Sequence, residues 1–260
     1  MTHLNRLWLG WLGVVVLVGG CQWGLIPSSG LPPAQRAQRQ QLHAEGVQKA
    51  QAGDYPGAIA LLTEAIDRFP QDAELYYSRG SVYSDMGKQD EAIRDLTQAI
   101  RINPKFAAAY NHRGITYAKG NQYPQAIADF SRAIQADPNF LEAYINRAKA
   151  YRLRGNYQAA LADCHEVLRR QPDLAQGYYQ RGSTWLAMKA YQRALADLHQ
   201  AIRYDPQLAA AYAQKGMVHR ALGDRQQALE SWQQAAQLFQ KQGDKDGLAQ
   251  VTRLIQQLVR

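Results

Sequence analysis

The sequence predicts an all-α protein, an α-solenoid of six helix hairpins followed by one further helix at the C terminus. The first observation behind this is a 34-residue repeat that starts near residue 39, and prolines mark its step: Pro70, Pro104, Pro138, Pro172 and Pro206. The second is that aromatic and small residues recur within each unit at i, i+4 and i+7, which places them on one helix face. Because a single hairpin cannot bury its apolar face alone, the hairpins are expected to stack.

The first 20 residues predict an export signal. The opening MTHLNR is polar and basic, and the 14 residues from Leu7 to Gly20 are all apolar or glycine. This run is short of the roughly 20 residues that a spanning helix needs, and it ends in small residues, as a secretory signal peptide does. Val18-Gly19-Gly20-Cys21 resembles the lipobox of bacterial lipoproteins, which implies cleavage after residue 20 and acylation of Cys21. An uncleaved anchor reaching Ile26 is the alternative, and it also ties the protein to a membrane.

Residues 21–38 predict a flexible tether behind the lipid. They are rich in Gly, Pro, Ser and Gln and show no sustained apolar period, so they are not expected to pack. A flexible chain of this length spans roughly 20–25 Å. Trp23 is either an anchor at the membrane interface or an ordinary linker residue.

The repeat itself is clearest in the second unit, AELYYSRGSVYSDMGKQDEAIRDLTQAIRINPKF. It carries an aromatic, a small and an aromatic residue on its first half, and Ala, Leu, Ala and Pro on its second. This pattern resembles the tetratricopeptide repeat, which implies a right-handed superhelix of hairpins. The six units are 39–72, 73–106, 107–140, 141–174, 175–208 and 209–242.

The last segment, 243–260, predicts a capping helix that covers the sixth hairpin. Apolar residues lie along one helical stripe in it: Leu248, Val251, Leu254, Ile255, Leu258 and Val259.

One pair of columns departs from the usual family pattern. Four units carry an arginine before the small residue of the first helix and an aspartate sixteen residues later: Arg79 and Asp95, Arg113 and Asp129, Arg147 and Asp163, Arg181 and Asp197. Units one and six lack both. Since the two columns appear together, we expect a ladder of partly buried ion pairs that fixes helix register between hairpins.

The sequence does not predict an enzyme or a cofactor. Cys164 and His165 are adjacent on a helix and therefore point about 100° apart. Cys164 also takes the place of Leu96 and Leu198 in other units, so we expect a core residue. The histidines show no metal-binding spacing, and there is no phosphate-binding loop.

The resemblance implies instead a concave groove, lined by the first helices, that holds a partner peptide or helix. The family's groove positions correspond here to Tyr77, Ser81, Asn111, Ile115, Ile145, Lys149, Arg152, Tyr179, Ser183 and Met217. The net charge of +8 is uneven, since unit 39–72 has three basic and five acidic residues and unit 141–174 has six and four. A partner segment of acidic character is therefore expected at Lys149 and Arg152. No basic run or motif favours nucleic acid.

Together these features predict a lipid-anchored scaffold on the periplasmic or extracytoplasmic side of a bacterial membrane, which assembles an envelope complex. Its layout resembles pilotin-type tetratricopeptide lipoproteins. A general adaptor that organises cell-wall enzymes is one alternative. A carrier of a small or glycan ligand is another, and it would require an enclosed pocket.

Overall fold

The structure, a computed structural model, describes residues 31–259. Over this range it has thirteen helices and no strand, so the predicted all-α fold class is confirmed. The helices are α1 (Pro33–Gln51), α2 (Tyr55–Arg68), α3 (Ala73–Asp85), α4 (Gln89–Ile102), α5 (Ala107–Lys119), α6 (Tyr123–Ala136), α7 (Leu141–Leu153), α8 (Tyr157–Arg170), α9 (Ala175–Ala187), α10 (Tyr191–Tyr204), α11 (Ala209–Ala221), α12 (Arg225–Gln242) and α13 (Lys245–Val259).

The chain divides into two compact units, one ending at Gly120 and the other starting at Asn121. The first unit holds α1–α5 and the second holds α6–α13. Within each unit, helices that follow one another pack together, and alternate helices also touch, as α1 does with α3 and α7 with α9. This is the packing expected of stacked hairpins.

Small residues let the two helices of a hairpin approach each other closely. One alanine column on the second helices is fully buried in every repeat: Ala58, Ala92, Ala126, Ala160, Ala194 and Ala228. A bulky apolar residue follows four positions later, such as Leu96 or the fully buried Trp232. A Cβ atom added to Gly80 would lie 3.0 Å from Leu96 Cγ, so this position of the first helix favours a small residue, which is Ala148 in the fourth repeat.

The N-terminal boundary differs from the prediction. Helix α1 begins at Pro33, so residues 33–38 are helical where the sequence predicts a tether. Leu31 is also buried, and it packs against Phe69 and Leu75. Proline suits the first turn of a helix because its missing N–H would have no partner there, and the Pro32–Pro33 pair therefore starts the helix.

The export signal, Cys21 and the tether up to residue 30 lie outside the described residues. Among the helices of residues 31–259, none combines the length and the apolar character that crossing a membrane requires.

The C-terminal helix α13 packs on α12, as a capping helix should. Val251 is buried against the cluster around Trp232, and Leu254, Ile255 and Leu258 are partly buried there. Val259 is 68% exposed, so the predicted apolar stripe ends before it.

The turn inside each hairpin requires a left-handed backbone. Four repeats use glycine at this position, including Gly87 with φ 74° and Gly223 with φ 83°. The third and fifth repeats place Asn121 (φ 59°) and Lys189 (φ 60°) there instead. A lysine in this conformation is strained by roughly 1–2 kcal/mol, because its Cβ crowds the following carbonyl oxygen.

We therefore expect Lys189→Gly to raise the free energy of unfolding by up to about 1 kcal/mol, once the extra chain entropy of glycine is subtracted. Urea unfolding followed by circular dichroism measures the change. The matched control is Ala190→Gly, one residue further on, where φ is −83° and glycine should destabilise. A loss of stability in both variants would contradict the strain at Lys189.

Candidate functional site

Three of the predicted arginine–aspartate pairs form two-bonded ion pairs. Arg79 donates from Nε to Asp95 Oδ2 at 2.7 Å and from Nη2 to Asp95 Oδ1 at 2.9 Å. The same two bonds, at 2.7–2.9 Å, join Arg147 to Asp163 and Arg181 to Asp197. Each pair links the two helices of one hairpin, because sixteen residues span one helix–turn–helix. The sequence analysis expected these ion pairs to connect one hairpin to the next. That expectation is wrong for the aspartates, because each lies in the same hairpin as its arginine.

The link to the preceding hairpin is a bond that the sequence analysis missed. Arg79 donates from Nη1 to Thr63 Oγ1 at 2.9 Å, and Arg147 donates from Nη1 to Ser131 Oγ at 3.0 Å. These hydroxyl residues lie sixteen positions before their arginines, so a third column at that spacing was visible in the sequence. Arg79 and Arg147 therefore each bridge three helices.

The members of the fourth predicted pair belong to different units. Arg113, in the first unit, donates from Nη1 to Thr97 Oγ1 at 2.9 Å, as its equivalents do. Its guanidinium carbon lies 5.8 Å from the ring centre of Tyr110. Asp129, in the second unit, is a buried residue of α6.

Burial and ion pairing shift the pKa values of these side chains in opposite directions. Burial alone would lower the pKa of the Arg147 guanidinium, but its hydrogen bonds and charge attraction to Asp163 raise that pKa above its ordinary value. Burial raises the pKa of the Asp163 carboxyl, and Arg147 opposes this rise. A buried pair of this kind contributes little net stability, yet removing one partner is costly.

Two of the four predicted groove residues of the first unit line a cavity between α1 and α3. Its volume is about 340 Å³, and Tyr77 and Ser81 line it together with Val47, Leu62 and Val82. The ring of Tyr77 also packs on Phe106, with 5.1 Å between ring centres. The structure therefore brings Tyr77 and Ser81 together in one partly apolar site.

Further along the same unit, the polar side chains of α5 are engaged within the protein. The hydroxyl of Ser81 lies 3.1 Å from His112 Nδ1. Thr116 donates to Ser84 Oγ at 3.2 Å, and Lys119 donates from Nζ to the same oxygen at 3.3 Å. Asn111 is only 4% exposed, so it does not face solvent as a groove residue should. Ile115 is half-buried.

In the second unit the predicted groove residues lie on α7, α9 and α11. Lys149 is exposed, whereas Ile145, Arg152, Tyr179 and Met217 are half-buried and Ser183 is buried.

Three side chains of α7 and α9 hold buried polar atoms that have no hydrogen-bond partner among the described residues. These atoms are Arg152 Nε, Gln180 Oε1 and Ser183 Oγ. Helices α7 and α9, which carry these side chains, pack on each other in the second unit. Arg152 and Ser183 are among the groove residues that the sequence analysis predicted. It missed Gln180, which directly precedes Arg181 of an ion pair. Unpaired buried polar atoms are costly, at about 1–3 kcal/mol each.

Within residues 31–259, the one cysteine lies in the core. Cys164 is 1% exposed and packs with Ala148 and Ala160, so it is a core residue, as expected. Burial raises the pKa of its thiol to about 12, which keeps the thiol protonated. Among residues 31–259, no group of three or more acidic, His or Cys side chains is placed to hold a metal ion.

We expect the loss of one partner of a buried ion pair to lower the free energy of unfolding more than the loss of both partners. Arg147→Met leaves the buried Asp163 carboxylate unpaired and should lower the free energy of unfolding by about 3 kcal/mol. Adding Asp163→Leu removes the unpaired charge, so the double variant should be the more stable of the two. Urea unfolding of both variants gives the comparison.

The control for this cycle is Arg169→Met, which breaks an ion pair to Glu166 on the surface of α8. The Arg169 side chain is 67% exposed, so we expect no measurable change. Equal losses in the single and double variants at Arg147 would show that packing, and not the unpaired charge, sets the cost.

Comparison with known families supports the repeat architecture. A TPR repeat model matches residues 80–120, and models described as tetratricopeptide repeat match residues 61–94, 107–140 and 141–174. A model of anaphase-promoting complex subunit 5 matches residues 178–260. A search of curated proteins found no match.

Solved structures share the fold at low sequence identity. A tetratricopeptide repeat protein from Parabacteroides merdae is 19% identical, with a TM-score of 0.71 over 85% of this chain and 84% of that one. PilW, described as a type IV pilus biogenesis factor, is 21% identical, with a TM-score of 0.70 over 85% of this chain and 100% of that one. YrrB, described as having an unusual peptide-binding site, is 19% identical, with a TM-score of 0.52 over 74% of this chain and 97% of that one.

The fold is that of protein-binding scaffolds, and the matching models indicate no catalytic family. The repeat models together match residues 61–174, and with the helix packing they show that this part of the chain consists of tetratricopeptide repeats.

Proposed function

We propose that this chain is a membrane-anchored scaffold that binds a partner protein on the face formed by α7 and α9. The observation that carries the proposal is the set of unpaired buried atoms on Arg152, Gln180 and Ser183. A polypeptide backbone offers both N–H donors and C=O acceptors. Rotation of these side chains toward a bound peptide would therefore satisfy an arginine N–H, an amide oxygen and a hydroxyl together.

Charge on the same face favours a partner segment of acidic character. Lys149 is exposed, and Arg152 lies one helical turn further along α7. An acidic segment would be attracted before contact, which raises the association rate at low salt. The charge attraction would orient the approaching segment. Hydrogen bonds to its backbone would then supply the affinity of the bound state.

The anchor is proposed from the sequence alone. A lipid on Cys21 would hold the scaffold at a bacterial membrane, on the extracytoplasmic side to which an export signal directs the chain. Two or more acyl chains make such an anchor lasting, since each buried methylene contributes about 0.8 kcal/mol. Assembly of an envelope complex is the process that we propose for it. The fold shared with PilW is in keeping with this process.

The partner face is tested by charge reversal. We expect Lys149→Glu with Arg152→Glu to slow partner association at least tenfold at low salt, and the difference should shrink as salt screens the charges. The partner is first captured with the tagged chain from detergent-solubilised membranes, and its binding rates to both chains are then measured by surface plasmon resonance.

The matched control for charge reversal is Arg169→Glu with Arg203→Glu, which changes the same charge at exposed sites on α8 and α10. This control should bind as the parent chain does. Capture of a glycan or small molecule without any protein would contradict the scaffold, and equal losses in both double variants would contradict the face.

The anchor is tested by substitution of the acylated residue. Cys21→Ser should abolish metabolic labelling with radioactive palmitate and leave the export signal uncut, because the thiol is the acceptor of the lipid. Cys164→Ala is the control and should label as the parent does. Undiminished labelling of the Cys21→Ser chain would rule out the lipid anchor at this residue.

A further inference from the structure

We propose that the sixth hairpin, formed by α11 and α12, is an acid-sensitive element, in which protonation of His219 beside Lys215 loosens the C-terminal end of the second unit. The residues concerned occupy the positions that form the arginine bridges of earlier repeats. The proposal goes beyond the scaffold function, which concerns α7 and α9.

Four positions form the arginine bridge, and the fourth repeat shows their geometry. Arg147 bonds Asp163 on the second helix of its hairpin and Ser131 on the preceding hairpin. Its guanidinium carbon also lies 5.9 Å from the ring centre of Tyr151, four residues further along α7. A hydroxyl, a cation, an aromatic ring and a carboxylate therefore meet at one place.

The sixth repeat replaces all four of these residues. In the same order, the four positions hold His199, Lys215, His219 and Ser231. The register of the hairpin is nevertheless unchanged, since a Cβ added to Gly216 would lie closest to Trp232, as one added to Gly182 lies closest to Leu198. The bridge of the sixth repeat therefore has two imidazoles and no carboxylate on its second helix.

Lys215 is a half-buried cation without a bonded carboxylate. Ser231, in the place of the aspartate, donates its hydroxyl to the Gln227 carbonyl oxygen at 2.7 Å. Within the described chain, Lys215 makes no hydrogen bond or ion pair. Its charge lies four residues before His219 on α11, and residues at this spacing are neighbours on a helix.

The surroundings of His219 do not suit a second ring proton. The side chain is 12% exposed, and Nδ1 lies 3.8 Å from Asp224 Oδ2. Nε2 is buried and has no hydrogen-bond partner among residues 31–259. A neutral ring can carry its proton on Nδ1 and leave Nε2 unprotonated. Protonation adds a buried N–H without an acceptor and places a second positive charge next to Lys215.

The pKa of His219 is lowered in the folded chain. Burial, followed by the charge of Lys215, lowers it from the ordinary value of 6.5, and Asp224 and Glu230 oppose this shift without reversing it. Arg220, the next residue along α11, packs its guanidinium on a tryptophan ring. The unfolded chain therefore binds this proton more readily than the folded one. The stability that the neutral ring contributes is present above pH 6.5 and is lost as the pH falls through the lowered pKa.

The charged groups on the other helices nearby add to this effect or are already paired. On α10, partial burial and then the charges of Lys215 and His219 lower the pKa of His199. On α9 the charged residue is Arg181, and Asp197 on α10 accepts two hydrogen bonds from it. His199 therefore adds a third positive charge at low pH, whereas the charge on α9 is matched.

The terminal position of the sixth hairpin makes the loosening local. A terminal repeat packs on one neighbouring hairpin only, so it can open while the others stay folded. Helix α13 rests on α12, where Val251 is buried against Trp232. Acid therefore opens α11–α13 and exposes these two apolar side chains, while the helices of the fourth hairpin stay folded.

The test measures amide hydrogen exchange of the full chain in a neutral detergent, at about pH 7.5 and about pH 5. Mass spectrometry follows the amides of α11 and α12 separately from those of α7 and α8. The parent chain and His219→Gln are compared at the same pH, so the pH dependence of the chemical exchange rate cancels. We expect the ratio of parent to variant rates in α11 and α12 to rise about tenfold at the lower pH.

The matched control is His165→Gln, which removes an imidazole from α8 beside Arg181, a cation that Asp197 already pairs. This control should leave the acid response of α11 and α12 as it is in the parent chain. Lys215→Met removes the charge next to His219 and should reduce the acid response. It keeps the test decisive if His219→Gln folds poorly.

An acid response of the same size in the parent, His219→Gln and Lys215→Met chains would overturn the proposal. Equal acceleration of the amides of α7 and α8 would also overturn it, because the opening would then involve the whole second unit. The experiment contains no partner protein and no membrane, so its result is independent of the proposed scaffold function.

Discussion

The close approach of the two helices in each hairpin is the constraint on which the rest of the structure depends. Gly80 and Ala92 leave little room for larger side chains between α3 and α4, since a Cβ on Gly80 would lie 3.3 Å from the Ala92 carbonyl oxygen. At this distance Arg79 can bond Asp95 with two hydrogen bonds and still reach Thr63 on the preceding hairpin. The small residues therefore set the spacing, and the arginine bridges fix the register of three helices.

Every repeat keeps the close spacing of its two helices, while the side chains at the predicted groove positions differ between the two units. The first unit pairs its polar side chains internally, as Ser81 does with His112, and keeps an apolar cavity. The second unit buries Gln180 and Ser183 with unpaired atoms and exposes Lys149. Two chemically distinct surfaces thus arise, one in each unit, because the residues at the predicted groove positions vary between repeats while the alanine column does not.

Much of the fold could be predicted from the sequence, because the 34-residue period is itself a packing rule. The alanine column and the position of Cys164 follow from equivalence between repeats, and the structure buries both. The start of α1 could not be obtained in this way. Pro32 and Pro33 lie before the first full repeat, so no equivalent position reveals that a proline begins the helix and that Leu31 is buried.

The candidate site was less predictable, since its properties depend on neighbours that the sequence does not place in contact. Spacing alone assigns Asn111 and Ser183 to the groove, yet packing by adjacent helices buries both. It also cannot distinguish Ser81, whose hydroxyl meets His112, from Ser183, whose hydroxyl has no partner among the described residues. The same residue type at the same repeat position therefore bonds to a neighbouring side chain in one unit and has no partner among the described residues in the other. That difference in hydrogen bonding is the physical basis on which we propose partner recognition by α7 and α9.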